Sequence, residues 1–222
     1  CETVNNKYLI PEQEPKQLSE SIYGNFDSSF VIKNGKILFG LCEINNFDYL
    51  FSLNLEKTQQ VLNKIKKFNN FAGDLSSNKS VDFLSWLEWD SPYMPWEKND
   101  LCFAAIGDNG EIIKTSKFVN KNINVKKNVS FFQPYWLNND TLVCSEDSSG
   151  WWNLLFLVVT DIENIVIKKR VLKNFTEYGS PQWVSGISFF AGSIENLFCL
   201  AKQKNSWILE QYKDLICIKE LN

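Results

Sequence analysis

The chain predicts an all-β fold, a β-propeller of about four blade-like units, and three observations lead there. First, two stretches repeat. Gln133-Pro134-Tyr135-Trp136 is followed by a hairpin-like run to Cys144, and Ser180-Pro181-Gln182-Trp183 by another ending in Asn196–Leu200; the Pro-x-Trp units lie 47 residues apart. A repeat of that length built from short strands is the sequence signature of a propeller blade. Second, turn dipeptides separate short apolar runs, as Asn34-Gly35 does between Phe30-Val31-Ile32 and Ile37-Leu38-Phe39. Asn-Gly between such runs is a strong hairpin signal, because both residues tolerate positive φ. Third, 17 Phe, 8 Trp and 7 Tyr supply the large flat side chains that fill the wedges between radial sheets. An aromatic-rich β-sandwich is the alternative.

Taken in order, residues 1–20 are polar, carry Pro11 and Pro15, and read as a linker or leading strand; 21–222 read as one partial propeller domain. The first unit holds the Asn-Gly hairpin, a third strand at Tyr49–Leu53 and a weak fourth at Gln60-Val61-Leu62. The second starts with Val81–Trp86, carries a long insertion through Pro95, resumes at Leu101–Ile106 and turns at Asp108-Asn109-Gly110 into Glu111-Ile112-Ile113. The third runs from Phe131 to about Leu172, and the fourth from Ser180 to the end. Within the third, Trp152, Leu154, Phe156 and Val158 share one face, and Trp151, Leu155, Leu157 and Val159 the other. Apolar residues on both faces call for a strand covered on both sides. Four units could close by themselves or be a piece of a larger ring; nothing after Leu215-Ile216-Cys217-Ile218 reads as a strand returning to the first unit, so an incomplete part of a larger ring is expected, with exposed edges that offer a route to dimers.

Composition excludes several function classes. Lys and Arg number 23 against 26 acids, and Lys-rich stretches such as Lys64–Lys67 and Lys168–Arg170 are too short and mixed for a nucleic-acid footprint, so they read as solvated faces. Cys1, Cys42, Cys102, Cys144, Cys199 and Cys217 form no C-x-x-C pair. They read as free thiols of a reducing, cytoplasmic setting rather than a disulfide framework. With no His and no clustered Cys, neither a zinc site nor any other metal or cofactor is expected. The longest apolar run, Leu154–Thr160, is too short to span a bilayer, and no signal peptide is visible. A start at Cys1 rather than Met reads as a piece excised from a longer product, with a lipoprotein cysteine as the alternative.

Further residues carry a resemblance. Trp86-Leu87-Glu88-Trp89-Asp90-Ser91-Pro92-Tyr93-Met94-Pro95-Trp96 resembles the Trp-x-x-Trp-Asp-x-Pro-x-Met-Pro-Trp stretch in the propeller of prolyl-oligopeptidase-type serine peptidases, the acylaminoacyl-peptidase and dipeptidyl-peptidase group. Gln133–Trp136 with Glu146–Leu154, and then Tyr178–Val184, resemble the next two blades. The likeness covers most of the chain from about residue 20. It implies a ring of seven or eight blades that caps an α/β-hydrolase domain on the same parent chain and admits only short peptides. The chain departs from that pattern by having no G-x-S-x-G elbow and no His, so no Ser–His–Asp relay can be assembled from its residues. Where the family motif commonly carries a His after Trp-Asp, Ser91 stands.

The candidate site is therefore a peptide-binding or channel loop made of Glu88, Trp89, Asp90, Trp96, Glu146 and Asp147, with no catalytic residue. Glu88 and Asp90, flanked by Trp86, Trp89 and Trp96, suit a peptide amine, or acid and base in a carboxylate glycosidase. They equally suit a rigid insertion held by carboxylate-to-backbone bonds. Glu146-Asp147 before Ser148-Ser149-Gly150 reads either as a solvated capped turn or as a loop facing the channel. A stand-alone interaction platform is the remaining alternative.

Overall fold

The computed structural model describes residues 16–119 and 128–221; most of the expected 1–20 linker, and Cys1, lie outside the described residues. Every regular element described is a strand, and the strands build four antiparallel sheets in chain order. The first contains β1 (Asn25–Lys33), β2 (Ile37–Ile44), β3 (Phe47–Asn54) and β4 (Asn63–Lys67). The second contains β5 (Phe71–Ser77), β6 (Phe83–Trp89), β7 (Asp100–Ile106) and β8 (Ile112–Lys117). The third contains β9 (Phe131–Trp136), β10 (Thr141–Glu146), β11 (Asn153–Val159) and β12 (Ile165–Val171). The fourth contains β13 (Thr176–Glu177), β14 (Phe190–Gly192), β15 (Leu197–Gln203), β16 (Ser206–Lys213) and β17 (Ile216–Leu221).

The tight turns follow from local chemistry. Asn34 (φ 53°) and Gly35 (φ 67°) join β1 to β2 as the sequence predicts. Asn45 (φ 53°) and Asn46 (φ 63°) do the same between β2 and β3 without a glycine, because Asn tolerates the left-handed region. The weak strand expected at Gln60–Leu62 lies instead at Asn63–Lys67. Gln60 is used to close the preceding loop, accepting from the Asn54 N–H (3.1 Å) and donating to the Asn54 carbonyl (2.6 Å). An edge strand needs no apolar alternation, so β4 is mostly lysine. β5, polar and glycine-containing, was not expected at all.

Three core clusters join the sheets in succession. Phe39, Leu41 and Leu50 pack with Leu84, Trp86 and Cys102 between the first and second sheets. Leu87, Leu101 and Phe103 pack with Trp136, Leu142 and Leu155 between the second and third. Phe132, Leu154 and Phe156 pack with Leu197, Cys199 and Tyr212 between the third and fourth. Each such side chain contributes about 1.5–3 kcal/mol by leaving water. β11 has the two-sided burial expected of it, with Leu154 and Phe156 facing the fourth sheet and Leu155, Leu157 and Val159 the second. Trp151 precedes the strand, in a turn, and packs on Phe175 (ring centroids 5.1 Å). Among the described residues no cluster joins the fourth sheet to the first. The inner strands β1, β5 and β9 lie side by side, so the sheets radiate as propeller blades from one axis.

Polar stitches reinforce the wedges. Lys33, 2% exposed, donates to the Val81 carbonyl and to Asp82, both at 3.0 Å, and Trp136 donates its indole N–H to Ser85 Oγ at 2.9 Å. Cys42, Cys102, Cys144, Cys199 and Cys217 are free thiols on five different strands. No helix among the described residues is long and apolar enough to cross a membrane.

Candidate functional site

The inner strands share one irregularity. Register slips in β1 between Phe26 and Phe30, in β5 between Gly73 and Ser76, and in β9 beside Gln133. Asp74 (φ 55°) and Gln133 (φ 51°) take left-handed backbone there. A bulge re-aims the side chain it carries. Asp27 and Asp74 consequently both line a cavity of about 320 Å³ beside the axis. They stand 47 residues apart, the same interval that separates Pro134 from Pro181. That coincidence is the signal by which the sequence could have revealed them.

Four carboxylates line the cavity: Asp27, Glu43, Asp48 and Asp74. Trp89, Pro95 and Leu87 supply apolar wall, Gln182–Ser185 form one side, and no Lys or Arg is among the described lining residues. Asp48 accepts the Ala72 N–H at 2.9 Å, and Glu43 accepts from Asn25 Nδ2 at 3.1 Å. Asp27 accepts the Ser29 N–H at 3.2 Å and a hydrogen bond from Ser185 Oγ. Asp74 accepts from Gln182 Nε2 at 3.1 Å and from the backbone N–H of Gln133. Burial pushes the Asp74 carboxyl up to about 6; the nearby charge of Asp27 pushes the same way, and the two hydrogen bonds pull against them. Burial also raises Asp48; its Ala72 hydrogen bond opposes the shift, and Glu43 and Asp27 add to it. Crowded acids beside a tryptophan face favour a cationic guest, which relieves their mutual repulsion and meets the ring quadrupole.

The structure places the six residues of the expected peptide-binding or channel loops as follows. Glu88 and Trp89 are neighbours on β6 and point to opposite faces. Glu88 accepts the Trp86 indole N–H at 2.8 Å and lies 3.7 Å from Lys66 and 3.8 Å from Lys117. Trp89 lines the cavity and stacks on Phe71 at 5.8 Å. Asp90 is exposed and accepts from Asn70 at 2.6 Å. Trp96 packs its ring 4.3 Å from that of Trp183 at the cavity's edge. Glu146 is buried in the third sheet, pairs with Arg170 and accepts the Ser148 N–H at 2.9 Å. Asp147 accepts the Ser130 N–H at 2.8 Å. Beside Ser130, buried Asn99 donates to the carbonyls of Pro95 and Phe131, each at 2.8 Å, fixing the Trp96 loop to the third sheet. Of the six, only Trp89 lines the cavity.

The second Pro-x-Trp unit also sits differently from the first. Pro134-Tyr135-Trp136 is part of β9 and Trp136 is buried, whereas Pro181-Gln182-Trp183 has left the sheet and Trp183 is 72% exposed. The repeat holds in sequence and breaks in geometry.

Elsewhere, buried Glu210 gathers Lys173 (2.7 Å), Tyr178 (2.8 Å) and Tyr212 (2.7 Å). Glu210, Cys217 and Glu220 bring potential ligand atoms within 4.8 Å of one another. The Lys173 ammonium, also 3.0 Å from Glu220, already supplies the positive charge there.

No family model matches the chain, and no curated protein does. Solved structures do. A puromycin-hydrolyzing peptidase of Mycobacterium tuberculosis aligns over 91% of this chain and 32% of its own, with 16% identity and a TM-score of 0.71. Prolyl oligopeptidase B from Galerina marginata aligns over 87% and 26%, with 10% identity and a TM-score of 0.61. A putative TolB from Agrobacterium tumefaciens aligns over 91% and 69%, with 7% identity and a TM-score of 0.59. The chain thus spans about a third or less of the two peptidases. At these identities the likeness establishes the fold, the propeller portion of such enzymes.

Proposed function

We propose that the chain is the non-catalytic propeller part of a prolyl-oligopeptidase-type serine peptidase, and that it governs which peptides reach an α/β-hydrolase domain of the same parent protein. The observation that carries this reading is the alignment of nine-tenths of the chain with about a third of a puromycin-hydrolyzing peptidase. The motif running from Trp86 to Trp96 supports it independently. The chain contains no His, so a serine–histidine relay would have to come from elsewhere in the parent. Selection is steric and electrostatic: the blades exclude folded proteins, and the acidic cavity favours a short peptide presenting a free amine or a basic side chain.

The gene decides the first half. A G-x-S-x-G elbow followed by a late His downstream of Asn222 is expected, and a stop codon directly after Asn222 would remove the proposal in favour of a stand-alone platform. The platform has one supporting observation, the 69% of the putative TolB that the chain spans. Calorimetry decides the second half. A tetrapeptide with a free α-amine is expected to bind at least tenfold more tightly than its N-acetylated form, and Asp48→Asn with Asp74→Asn to abolish the difference. Equal binding of both peptides would refute the cation preference. The glycosidase alternative finds less support, since neither Glu88 nor Asp90 lines the cavity.

A further inference from the structure

The inner strand of the fourth sheet is split. β13 and β14 both pair with β15, Thr176 opposite Gln203 and Glu177 opposite Lys202. Continued without a break, that register would set Ser180 opposite Cys199. Phe190 stands there instead, so ten residues are looped out of a strand that stays paired on both sides. The excursion falls where the other three inner strands carry only a bulge.

The looped segment crosses the axis to the first two sheets. Gln182 reaches Asp74, Ser185 reaches Asp27 and lies 3.0 Å from Ser28 Oγ, and Trp183 rests on Trp96. Its feet are clamped. The Tyr178 N–H donates to the Trp152 carbonyl, the Phe189 N–H donates to Gln133 Oε1, and Gln133 Nε2 donates to the Phe190 carbonyl, each at 2.7 Å. Between the feet the contacts that hold the segment across the axis are side-chain contacts, and hydrogen bonds of this kind contribute about 0.5–1.5 kcal/mol each. Trp183 and Val184, 72% and 65% exposed, are not anchored in a core. Gly186 (φ 83°) gives the far end a turn that other residues resist. A segment with fixed ends and few buried contacts belongs to the part of a protein that opens locally.

We propose that residues 180–186 are a gate over the acidic cavity. In this structure it stands against the cavity, with Gln182–Ser185 as one wall, and it opens by releasing Gln182, Ser185 and Trp183 while every strand stays paired. The gate gives the cavity regulated access; its sense as a peptide entrance rests on the function proposed above, but the gating itself does not.

The test uses no peptide, so the two ideas can fail separately. Ala72→Cys places a thiol on the cavity wall, and Ser28→Cys with Ser185→Cys allows the gate to be bolted by a disulfide. N-ethylmaleimide alkylation is followed site by site by mass spectrometry. The thiol at position 72 is expected to react at least tenfold more slowly in the oxidised form, and to recover after reduction and desalting. Gln182→Ala with Ser185→Ala, in the unbolted protein, is expected to speed the reaction at least fivefold. Equal rates with and without the bolt, no response to the double alanine variant, or labelling no faster than that of core Cys199 would overturn the gate. Failure of the bolt to form on oxidation would also count against it, because the gate as it stands holds positions 28 and 185 together.

Discussion

Asp74 concentrates the site's electrostatics in one residue. Its pKa rises from about 3.9 in the unfolded chain to about 6 in the fold, chiefly through burial. Between those values the folded state keeps a proton that the unfolded state has released. Stability contributed by Asp74 is therefore full below pH 4 and lost as pH rises to about 6. Above that window the ionised carboxyl is a standing cost of at most about 2–3 kcal/mol. Asp74→Asn removes the charge, keeps an oxygen to accept from Gln182 and Gln133, and suits the left-handed backbone there. The variant is expected to melt above the parent at pH 7 and level with it at pH 4. A pH-independent difference would show that the carboxyl is not desolvated as described. Local pattern hides Asp74 because its neighbours, Gly73 and the serines at 76 and 77, disguise an inner strand as a loop, and only the 47-residue spacing from Asp27 betrays it. Glu88 drew notice for the opposite reason: three tryptophans surround it in sequence, yet one of them takes its carboxylate as a hydrogen-bond acceptor.

At the level of strands, the fold was readable wherever apolar residues sit on both faces or a turn dipeptide fixes the register. β11 is the clearest case, and its burial makes it the least replaceable strand. Leu157→Ala removes a fully buried side chain from the wedge between the second and third sheets and is expected to cost about 2–5 kcal/mol in urea denaturation. A loss below about 1 kcal/mol would mean that the wedge is loosely packed. Reading failed for β4 and β5, one solvated on an edge and the other bulged and polar, because neither displays a period of two. It failed again at Pro181-Gln182-Trp183, where the repeated letters promise a strand and the backbone leaves the sheet. Local pattern carries no information about a ten-residue departure. Only the pairing of β13 and β14 with the same partner exposes it.

Among the described residues the molecule is a row of sheets, each sharing a core only with its immediate neighbours. In such arrays stability is close to a sum of unit and nearest-neighbour terms. Leu84→Ala, between the first and second sheets, and Leu197→Ala, between the third and fourth, are therefore expected to add within about 0.5 kcal/mol, as distant substitutions do. A larger coupling energy would reveal long-range cooperation among the cores. The excursion from the fourth sheet qualifies that picture. By grasping Asp27 and Asp74 it runs like a chord between the two ends of an arc. A short tether of that kind raises the effective concentration of one end at the other, so fraying of the first sheet and fraying of the last cease to be independent events.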